Sequence, residues 1–220
     1  MKLRNVLFGK YREKVLCSII CNQIEKLINL RSKKKITILD YGSGYNPVVI
    51  NCVIKLLKSK HQNITLNAYC YDYYTNEQIK KMNVNRNIKF FHVRKLRQEK
   101  IKKFDFCLLL DVLHHIGIDK NNTEVYKITN KLKKLSKFIF IKDHFQYGFF
   151  SNLVLILMDI VGNYADNVKI PNVYFSIKAY EDFITKLKMT EINRISDKSY
   201  YKWFWFYFNS KKFQFVSILK

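Results

Sequence analysis

The stretch ITILDYGSGYNPVVINCVIKLL, residues 36–57, carries the strongest fold signal in the chain. Its apolar beginning, residues 36–39, predicts a short buried strand that ends at Asp40. Asn46 is a favourable helix N-cap residue and Pro47 suits the first helical position, and beyond them apolar residues recur with the period of a helix. The stretch therefore predicts a strand, a tight turn and a helix.

The same alternation of strand and helix recurs along the chain. Further strands are predicted at residues 64–71, 87–93, 104–110 and 137–141, and further helices at residues 11–30, 122–135 and 177–187. Thr75 and Gln78 have the spacing of a capping box, which predicts another short helix. The nearly continuous apolar run 104–110 is typical of a central parallel strand that is buried on both faces. This alternation predicts a doubly wound, mostly parallel α/β sheet.

The C-terminal part of the chain predicts an antiparallel element. Residues 200–208 and 213–219 are rich in aromatic and other strand-forming residues, and they flank the turn-like segment 209–212. A hairpin here completes a seven-stranded sheet with helices on both faces. Because the chain has no internal repeat, linker or change of composition, we expect residues 1–220 to form a single domain, with an N-terminal helix within 1–30 and an inserted lid-like segment at 146–175.

Composition limits the class of protein. The chain is 48% hydrophobic and 15% aromatic, which excludes intrinsic disorder. No apolar run approaches the roughly 18 residues that a membrane-spanning helix needs. Residues 1–14 are charged throughout, unlike a signal peptide, so we expect a cytoplasmic protein. The five cysteines form neither a CxxC pair nor a cluster with histidine, which predicts reduced thiols and no metal site.

The net charge of +23 favours nucleic acid or anionic lipid as a partner. However, 33 of the 40 basic residues are lysines, and they are spread over the whole chain. Proteins that recognise phosphate tend to use arginine, whose planar guanidinium makes two parallel hydrogen bonds. Nucleic acid is therefore a less favoured partner than a small molecule, and the sequence does not predict the oligomeric state.

Acidic residues end four of the predicted strands. They are Asp40, Asp72, Asp111 and Asp143, the last followed by His144. In an open α/β sheet, ligands bind outside the carboxyl ends of the strands. Although aspartate is also a common turn residue, its occurrence at successive strand ends predicts that these side chains converge on one edge of the sheet.

The turn after the first strand indicates the ligand. Gly42 and Gly44 allow a ligand to approach the backbone closely, and the next helix directs its N-terminal amides to the same place. The third glycine of a nicotinamide or flavin fingerprint would fall on Pro47, so that class is excluded. Asp40 can balance a cationic amino-acid group, and Asp72 is suitably placed to bind two ribose hydroxyls.

These motifs resemble those of the class I S-adenosylmethionine-dependent methyltransferases over residues 36–145. The glycine-rich motif of the family is matched at Leu39, Asp40, Gly42 and Gly44, its ribose-binding acid at Asp72, and its fourth-strand motif by FDFCLLLDVLHHI, residues 104–116. The DVLHH element is especially similar to the quinone and small-molecule branch. Two departures are Asn46 in place of the third glycine, and Val93 and Arg94 where many members carry an acid that contacts the adenine amine.

The resemblance implies a Rossmann-like fold and S-adenosyl-L-methionine as the cofactor. The methionine end would be held by Asp40, Gly42, Ser43 and Gly44, the ribose by Asp72 with the adjacent Tyr73, and the region beside the sulfonium by Asp111. The later segments FIFIKDHFQYG, MDIVGN and IPNVYFS are similar to methyltransferases with a KDH element after the fifth strand and an inserted helical segment.

Methyl transfer from a sulfonium is an in-line displacement, so the protein positions the acceptor and, for a hydroxyl acceptor, removes a proton. His144 and His115 follow two neighbouring strands and are the predicted bases, with His144 preferred. We expect His114 to pack or to cap the following loop. His61 and His92 are interpreted as surface or structural residues.

The acceptor predicted from this resemblance is a small molecule or a lipid-linked metabolite. The apolar segment 149–161 is interpreted as a lid over the site, or alternatively as a peripheral contact with a membrane surface. An RNA methyltransferase is a second hypothesis, although the chain lacks an NPPY-like motif after the fourth strand and Cys107 has no neighbouring proline. A non-catalytic binding protein with the same fold is a third.

Overall fold

The computed structural model describes residues 11–29, 33–44, 47–82, 87–97, 104–118, 123–163, 170–171, 173–198, 200 and 213–220. Within them the elements are α1 (Tyr11–Leu27), β1 (Lys35–Tyr41), α2 (Val48–Lys60), β2 (Thr65–Asp72), α3 (Asn76–Met82), β3 (Ile88–His92), a 3₁₀ helix (Val93–Arg97), β4 (Phe104–Leu110), α4 (Leu113–Ile116), α5 (Thr123–Leu135), β5 (Ser136–His144), α6 (Phe149–Asn163), α7 (Ile177–Leu187), β6 (Glu191–Ile195) and β7 (Gln214–Leu219). None of the helices in these ranges is both long and apolar enough to cross a membrane.

The chain divides into two compact units. The first, called here the N-terminal unit, comprises residues 13–109 and 134–139. The second, the C-terminal unit, comprises residues 1–12, 110–133 and 140–220. Each unit is described by itself below.

The N-terminal unit contains the parallel part of the sheet. Strand β1 pairs with β2 in parallel from Lys35–Thr65 to Tyr41–Tyr71, and it also pairs in parallel with β4. Strand β3 adds to the other side of β2, again in parallel. The centre of β4 is buried on both faces, as its continuous apolar sequence predicts.

Local signals at the helix ends of this unit are largely confirmed. The capping box of α3 is present, since Thr75 N–H donates to Gln78 Oε1 at 2.7 Å and Gln78 N–H donates to Thr75 Oγ1 at 3.2 Å. Helix α2 begins at Val48, one residue later than expected, with Pro47 as its cap residue. The predicted cap Asn46 lies outside the described residues.

The C-terminal unit contains the antiparallel pair of strands. Strands β6 and β7 pair antiparallel, and reciprocal backbone hydrogen bonds of 2.9 Å between Thr190 and Lys220 extend the pairing. Every residue of β7 is buried, including the polar Gln214 and Ser217. Ser176 caps α7 by accepting a hydrogen bond from Ala179 N–H at 3.1 Å.

The strand order is β3-β2-β1-β4-β5-β7-β6. A mostly parallel seven-stranded sheet with an antiparallel C-terminal pair and flanking helices confirms the predicted fold class. Two details differ from the expectation. Strand β6 was not predicted, and β7 pairs with it; the predicted first strand of the hairpin lies, apart from Tyr200, outside the described residues. Strand β5 extends through Asp143 and His144 instead of ending before them.

Candidate active site

The glycine turn after β1 is tied to the end of β2 by hydrogen bonds that its backbone amides donate. Gly42 and Gly44 have φ angles of +72° and +66°, in the left-handed region where glycine carries little strain. Gly42 N–H donates to the Tyr71 carbonyl oxygen at 2.8 Å. Gly44 N–H donates to Asp72 Oδ2 at 2.7 Å. The two predicted ligand-binding segments of the N-terminal unit are therefore in direct contact.

Tyr74 completes this turn and was not found by sequence reasoning. Its hydroxyl donates to the Gly44 carbonyl oxygen at 2.6 Å and lies 2.5 Å from Ser43 Oγ. Burial raises the pKa of Tyr74, so the phenol stays neutral. In the sequence, Tyr74 is one of several tyrosines around Asp72, and nothing there distinguishes it from a core aromatic residue.

The two carboxylates of this unit differ in their surroundings. Asp72 accepts hydrogen bonds at both oxygens, from Gly44 N–H and from Tyr73 N–H at 2.7 Å each, while the Tyr73 side chain is largely exposed. Asp40 is buried, and burial together with the nearby Asp72 raises its pKa to about 7. A cationic ligand group would favour the ionised form of Asp40. We call Asp40, Gly42, Ser43, Gly44 and Asp72 the glycine-turn group.

Asp111, which follows β4 in the C-terminal unit, is held by two cations. Its φ of +56° is uncommon for a residue other than glycine, and its N–H donates to the Lys142 carbonyl oxygen at 2.8 Å. Its carboxylate forms ion pairs with Arg12 and with the fully buried Lys142. Sequence reasoning missed the role of Arg12, because this residue is far from the motifs along the chain.

Asp143 and His114 form a buried hydrogen-bonded pair in the C-terminal unit. His114 Nδ1 lies 2.6 Å from Asp143 Oδ1, and the same oxygen accepts His144 N–H at 2.8 Å. Burial alone would raise the pKa of Asp143, but the charge and hydrogen bond of His114, assisted by His144, lower it overall. Asp143 is therefore ionised. His114 makes more specific contacts than the packing role predicted for it.

His144, the preferred base, is buried and uncharged. Its Nδ1 lies 3.6 Å from Asp143 Oδ1 and 3.7 Å from Asp111 Oδ1, and it makes no hydrogen bond within the described part of the chain. Burial, followed by the charge of Lys142, lowers the pKa of His144 to about 3. The neutral ring can accept a proton, but only where the imidazolium gains stabilisation from a neighbouring carboxylate.

Helix α6 and the loop before α7 add two residues that sequence reasoning did not assign. Tyr174 donates its hydroxyl proton to Asp159 Oδ2 at 2.7 Å, and His114 Nε2 lies 3.4 Å from the same oxygen. The Tyr174 ring contacts the rings of His114 and His144, with centroids 5.3 and 5.7 Å apart. The available signal was the likeness of MDIVGN and IPNVYFS to inserted segments of other methyltransferases.

The remaining histidines divide as follows. The half-buried His115 has its ring centroid 4.1 Å from that of His114. His61 lies 2.9 Å from Glu25, and His92 accepts a hydrogen bond from Arg94 N–H at 3.1 Å.

We call Asp111, His114, His115, Asp143, His144 and Asp159 the histidine group. The structure thus places the predicted site residues in two groups, each within its own compact unit.

Several solved structures have a similar fold. A SAM-dependent methyltransferase from Archaeoglobus fulgidus aligns with a TM-score of 0.54 and 12% identity over 93% of this chain and 94% of that one. Magnesium protoporphyrin IX methyltransferase from Synechocystis PCC 6803, with bound S-adenosylhomocysteine, aligns with a TM-score of 0.55 and 12% identity over 96% and 84% of the two chains. A pericyclic reaction enzyme aligns with a TM-score of 0.56 and 10% identity over 89% of this chain and 46% of its own, so this chain spans about half of that enzyme.

No protein-family model and no curated protein sequence matches the chain. At identities of 10–12% the similarity establishes the fold and not the reaction. The fold predicted from the glycine-rich turn and the alternating elements is confirmed: the chain has the Rossmann-like fold of the class I S-adenosylmethionine-dependent methyltransferases.

Proposed function

We propose that the protein transfers a methyl group from S-adenosyl-L-methionine to a small-molecule or lipid-linked acceptor. The observation that carries this proposal is the glycine-turn group, in which a left-handed turn, Gly44 N–H and Asp72 are joined at hydrogen-bonding distance. It occurs at the end of the first strand of a methyltransferase fold, and its acidic character suits a cofactor with a cationic amino-acid end.

In this proposal the glycine-turn group binds the cofactor. Asp40 balances the ammonium of the methionine end, and Gly42, Ser43 and Gly44 present backbone to it. Among the described residues, no atom beyond Gly44 and its chain neighbours lies within 4 Å of a Cβ added at Gly44, which leaves room for a ligand to approach. Asp72 accepts the ribose hydroxyls, with Tyr73 beside it. Because both Asp72 oxygens already accept a backbone N–H, the carboxylate is oriented before the ligand arrives.

The histidine group would prepare the acceptor. His144 and His115 remain the proposed proton acceptors for a hydroxyl group. The Asp143 and Asp111 carboxylates lie 3.6 and 3.7 Å from His144 Nδ1 and would stabilise an imidazolium. The Asp111 carboxylate is already paired with Arg12 and Lys142. We therefore propose that Asp111 contributes its backbone, which has a φ of +56°, to the region beside the sulfonium. The cofactor supplies the electrophilic methyl group when bound.

The exposed apolar surface of helix α6 supports the proposal that the acceptor is apolar or lipid-linked. Exposed large hydrophobic side chains concentrate in this region: Tyr147, Phe149, Phe150, Leu153, Leu157, Ile160, Val173 and Ile177. Phe149 and Phe150 are 78% and 79% exposed. Phe149, Leu153, Leu157 and Ile160 recur on one face of the helix, whereas Leu155 packs with Tyr174 and Phe213. Such a patch is unusual on a surface that meets only water. It supports α6 as a lid, or as a peripheral contact with an anionic membrane.

One competing proposal is a non-catalytic binding protein of the same fold; a similar structure is that of a pericyclic reaction enzyme, so proteins with this fold are not all described as methyltransferases. The net charge of +23 supports a second, an RNA methyltransferase. Transfer experiments separate these possibilities, because they predict label in a lipid or small molecule, no labelled product, and label in RNA, respectively.

The proposal is tested with S-adenosylmethionine that carries a tritiated methyl group. The full chain is incubated with separate lipid, small-molecule and RNA fractions, beside a Gly44→Val variant. We expect label to enter the lipid or small-molecule fraction with wild type only. Label in the RNA fraction would favour the nucleic-acid hypothesis, and cofactor binding without transfer to any fraction would favour the non-catalytic one.

A further inference from the structure

His114, His115 and Asp159 bring two imidazoles and one carboxylate together in the C-terminal unit. One ligand atom from each of the three side chains lies within 4.8 Å of the others. We propose that these residues bind a divalent transition-metal ion, with Zn²⁺ as the ion that best fits the two-histidine, one-carboxylate set. Three protein ligands leave a fourth position for water or for another ligand oxygen. With the ion bound, His115 acts as a ligand, and His144 remains the proposed proton acceptor.

The separation of the ligand atoms fits a single ion. His114 Nε2 and Asp159 Oδ2 are 3.4 Å apart, which is too long for a good hydrogen bond. Two atoms bound to a tetrahedral zinc at about 2.0–2.2 Å lie about 3.3–3.5 Å from each other. The ring of His115 lies against that of His114, with centroids 4.1 Å apart, and one of its nitrogens lies within 4.8 Å of the ligand atoms of His114 and Asp159.

The surroundings of His114 and Asp159 resemble the outer shell of known metal sites. His114 Nδ1 lies 2.6 Å from Asp143 Oδ1, and in this contact the ring donates its Nδ1 proton to a carboxylate oxygen. This fixes the tautomer in which Nε2 has a free lone pair, the arrangement found in carboxylate–histidine–zinc triads. Asp159 is held in turn by the Tyr174 hydroxyl at 2.7 Å. Both ligands are thus oriented by a second hydrogen bond.

An overlapping group, His114, Asp143 and His144, also meets the distance limit but fits a metal less well. All three side chains are buried, which gives an ion no route to them. Asp143 Oδ1 already accepts hydrogen bonds from both histidines, and the Lys142 ammonium lies next to this group. His115 and Asp159 are instead partly exposed, so the proposed site can exchange its ion with solvent.

Charge is consistent with the proposal. The Asp143 and Asp159 carboxylates lie beside the two ring nitrogens of the buried His114, Asp143 beside Nδ1 and Asp159 beside Nε2. A divalent cation on Nε2 would balance these two charges. The sequence predicted no metal site because its cysteines form no cluster with histidine, and the histidines of α4 lie far along the chain from Asp159.

The test uses Co²⁺, which reports tetrahedral coordination through visible absorption bands, on the full chain after treatment with a chelator. We expect one equivalent to bind with tetrahedral bands, and Zn²⁺ to displace it. His115→Ala and Asp159→Asn should abolish the bands; asparagine preserves the size of the side chain and an acceptor for Tyr174. Asp143→Asn should weaken binding about 10- to 100-fold, as is usual for an outer-shell partner. His92→Ala is the control and should bind as wild type does.

Thermal unfolding and circular dichroism of each variant separate loss of the site from loss of the fold. Absence of bands in folded wild type, or equal Co²⁺ affinity in wild type and Asp159→Asn, would overturn the proposal. So would nitrogen NMR showing a doubly protonated His114 in the presence of Zn²⁺. Because the titration uses the metal ion alone, its outcome does not depend on methyl transfer.

Discussion

The glycine-turn group and the histidine group are held in place by different kinds of interaction. In the glycine-turn group, backbone amides of Gly42 and Gly44 bind Tyr71 and Asp72, so the turn is fixed largely by main-chain geometry. In the histidine group, polar side chains hold one another through hydrogen bonds and ion pairs, as Asp143 does with His114. The first arrangement depends on the absence of side chains at two glycines. The second depends on each partner being present with the correct charge.

The largest effect is expected in the histidine group. His144→Ala should leave cofactor affinity unchanged and slow methyl transfer by about 10²- to 10⁴-fold, the usual contribution of a positioned base. The measurement is turnover of an acceptor that wild type converts. His92→Ala is the matched control, because His92 contacts the backbone of Arg94. Normal turnover by His144→Ala would remove this residue from proton transfer.

In the glycine-turn group, Gly44→Val should reduce cofactor affinity by about 100-fold, or about 2.7 kcal/mol. The added side chain would project into space that no described residue beyond the chain neighbours of Gly44 occupies, and we expect it to meet the ligand there. Gly117→Val is a matched control, since Gly117 also has a positive φ and open space around its Cβ position. Calorimetry of both folded variants provides the comparison. Equal affinities would show that the ligand does not approach Gly44.

Asp72→Ala should weaken cofactor binding by about 1.5–3 kcal/mol, because charge-assisted hydrogen bonds to the ribose are lost. Asp105→Ala is a suitable control, since Asp105 accepts hydrogen bonds from the Thr37 amide and hydroxyl, away from the proposed ligand contacts. The control should lower stability without changing affinity. If both variants bind the cofactor as wild type does, Asp72 is structural.

From the raised pKa of Asp40 we predict that cofactor binding depends on pH. Its pKa is raised to about 7 by burial and by Asp72, so the carboxylate is mostly protonated at pH 6 and mostly ionised at pH 7.5. Only the ionised form attracts an ammonium, so affinity should rise several-fold over this interval. Calorimetric titrations at the two pH values measure it. Asp40→Asn should bind weakly and without this dependence; a persistent dependence would assign it to another group.

The raised pKa of Asp40 also predicts a smaller effect, on the free energy of unfolding. The folded-state pKa of Asp40 lies above the ordinary value of 3.8, so the folded protein keeps a proton that the unfolded chain releases. Its contribution to stability is complete below about pH 4 and is lost as the pH rises to about 7. Without cofactor, Asp40→Asn should therefore unfold at a higher temperature than wild type at pH 8. A lower unfolding temperature would contradict burial as the cause.

The contrast between the two groups also explains what the sequence could predict. Strand β4, helix α7 and the capping box of α3 follow from periodicity and local spacing, because burial and short-range hydrogen bonds determine them. The glycine turn was accessible for the same reason. Its residues are consecutive, and Asp72 ends the next strand along the chain.

The histidine group was less accessible because its partners come from distant segments. Arg12, Asp159 and Tyr174 each have an ordinary local context, and only the fold brings them to Asp111 and His114. Strand β6 was missed because its short sequence EINRI carries little apolar signal, and pairing with the buried β7 determines its conformation. Tertiary contacts outweighed local propensity in both cases.

The most direct test of the central claim is a thermal-shift titration of the wild-type chain with S-adenosylmethionine and S-adenosylhomocysteine, with NAD as the control. A ligand that binds only the folded state adds about 2.7 kcal/mol of stability at 100 times its dissociation constant. We expect both sulfur ligands to raise the unfolding temperature and NAD to leave it unchanged. A shift with NAD alone, or with none of the three, would contradict the assignment of the glycine turn to this cofactor.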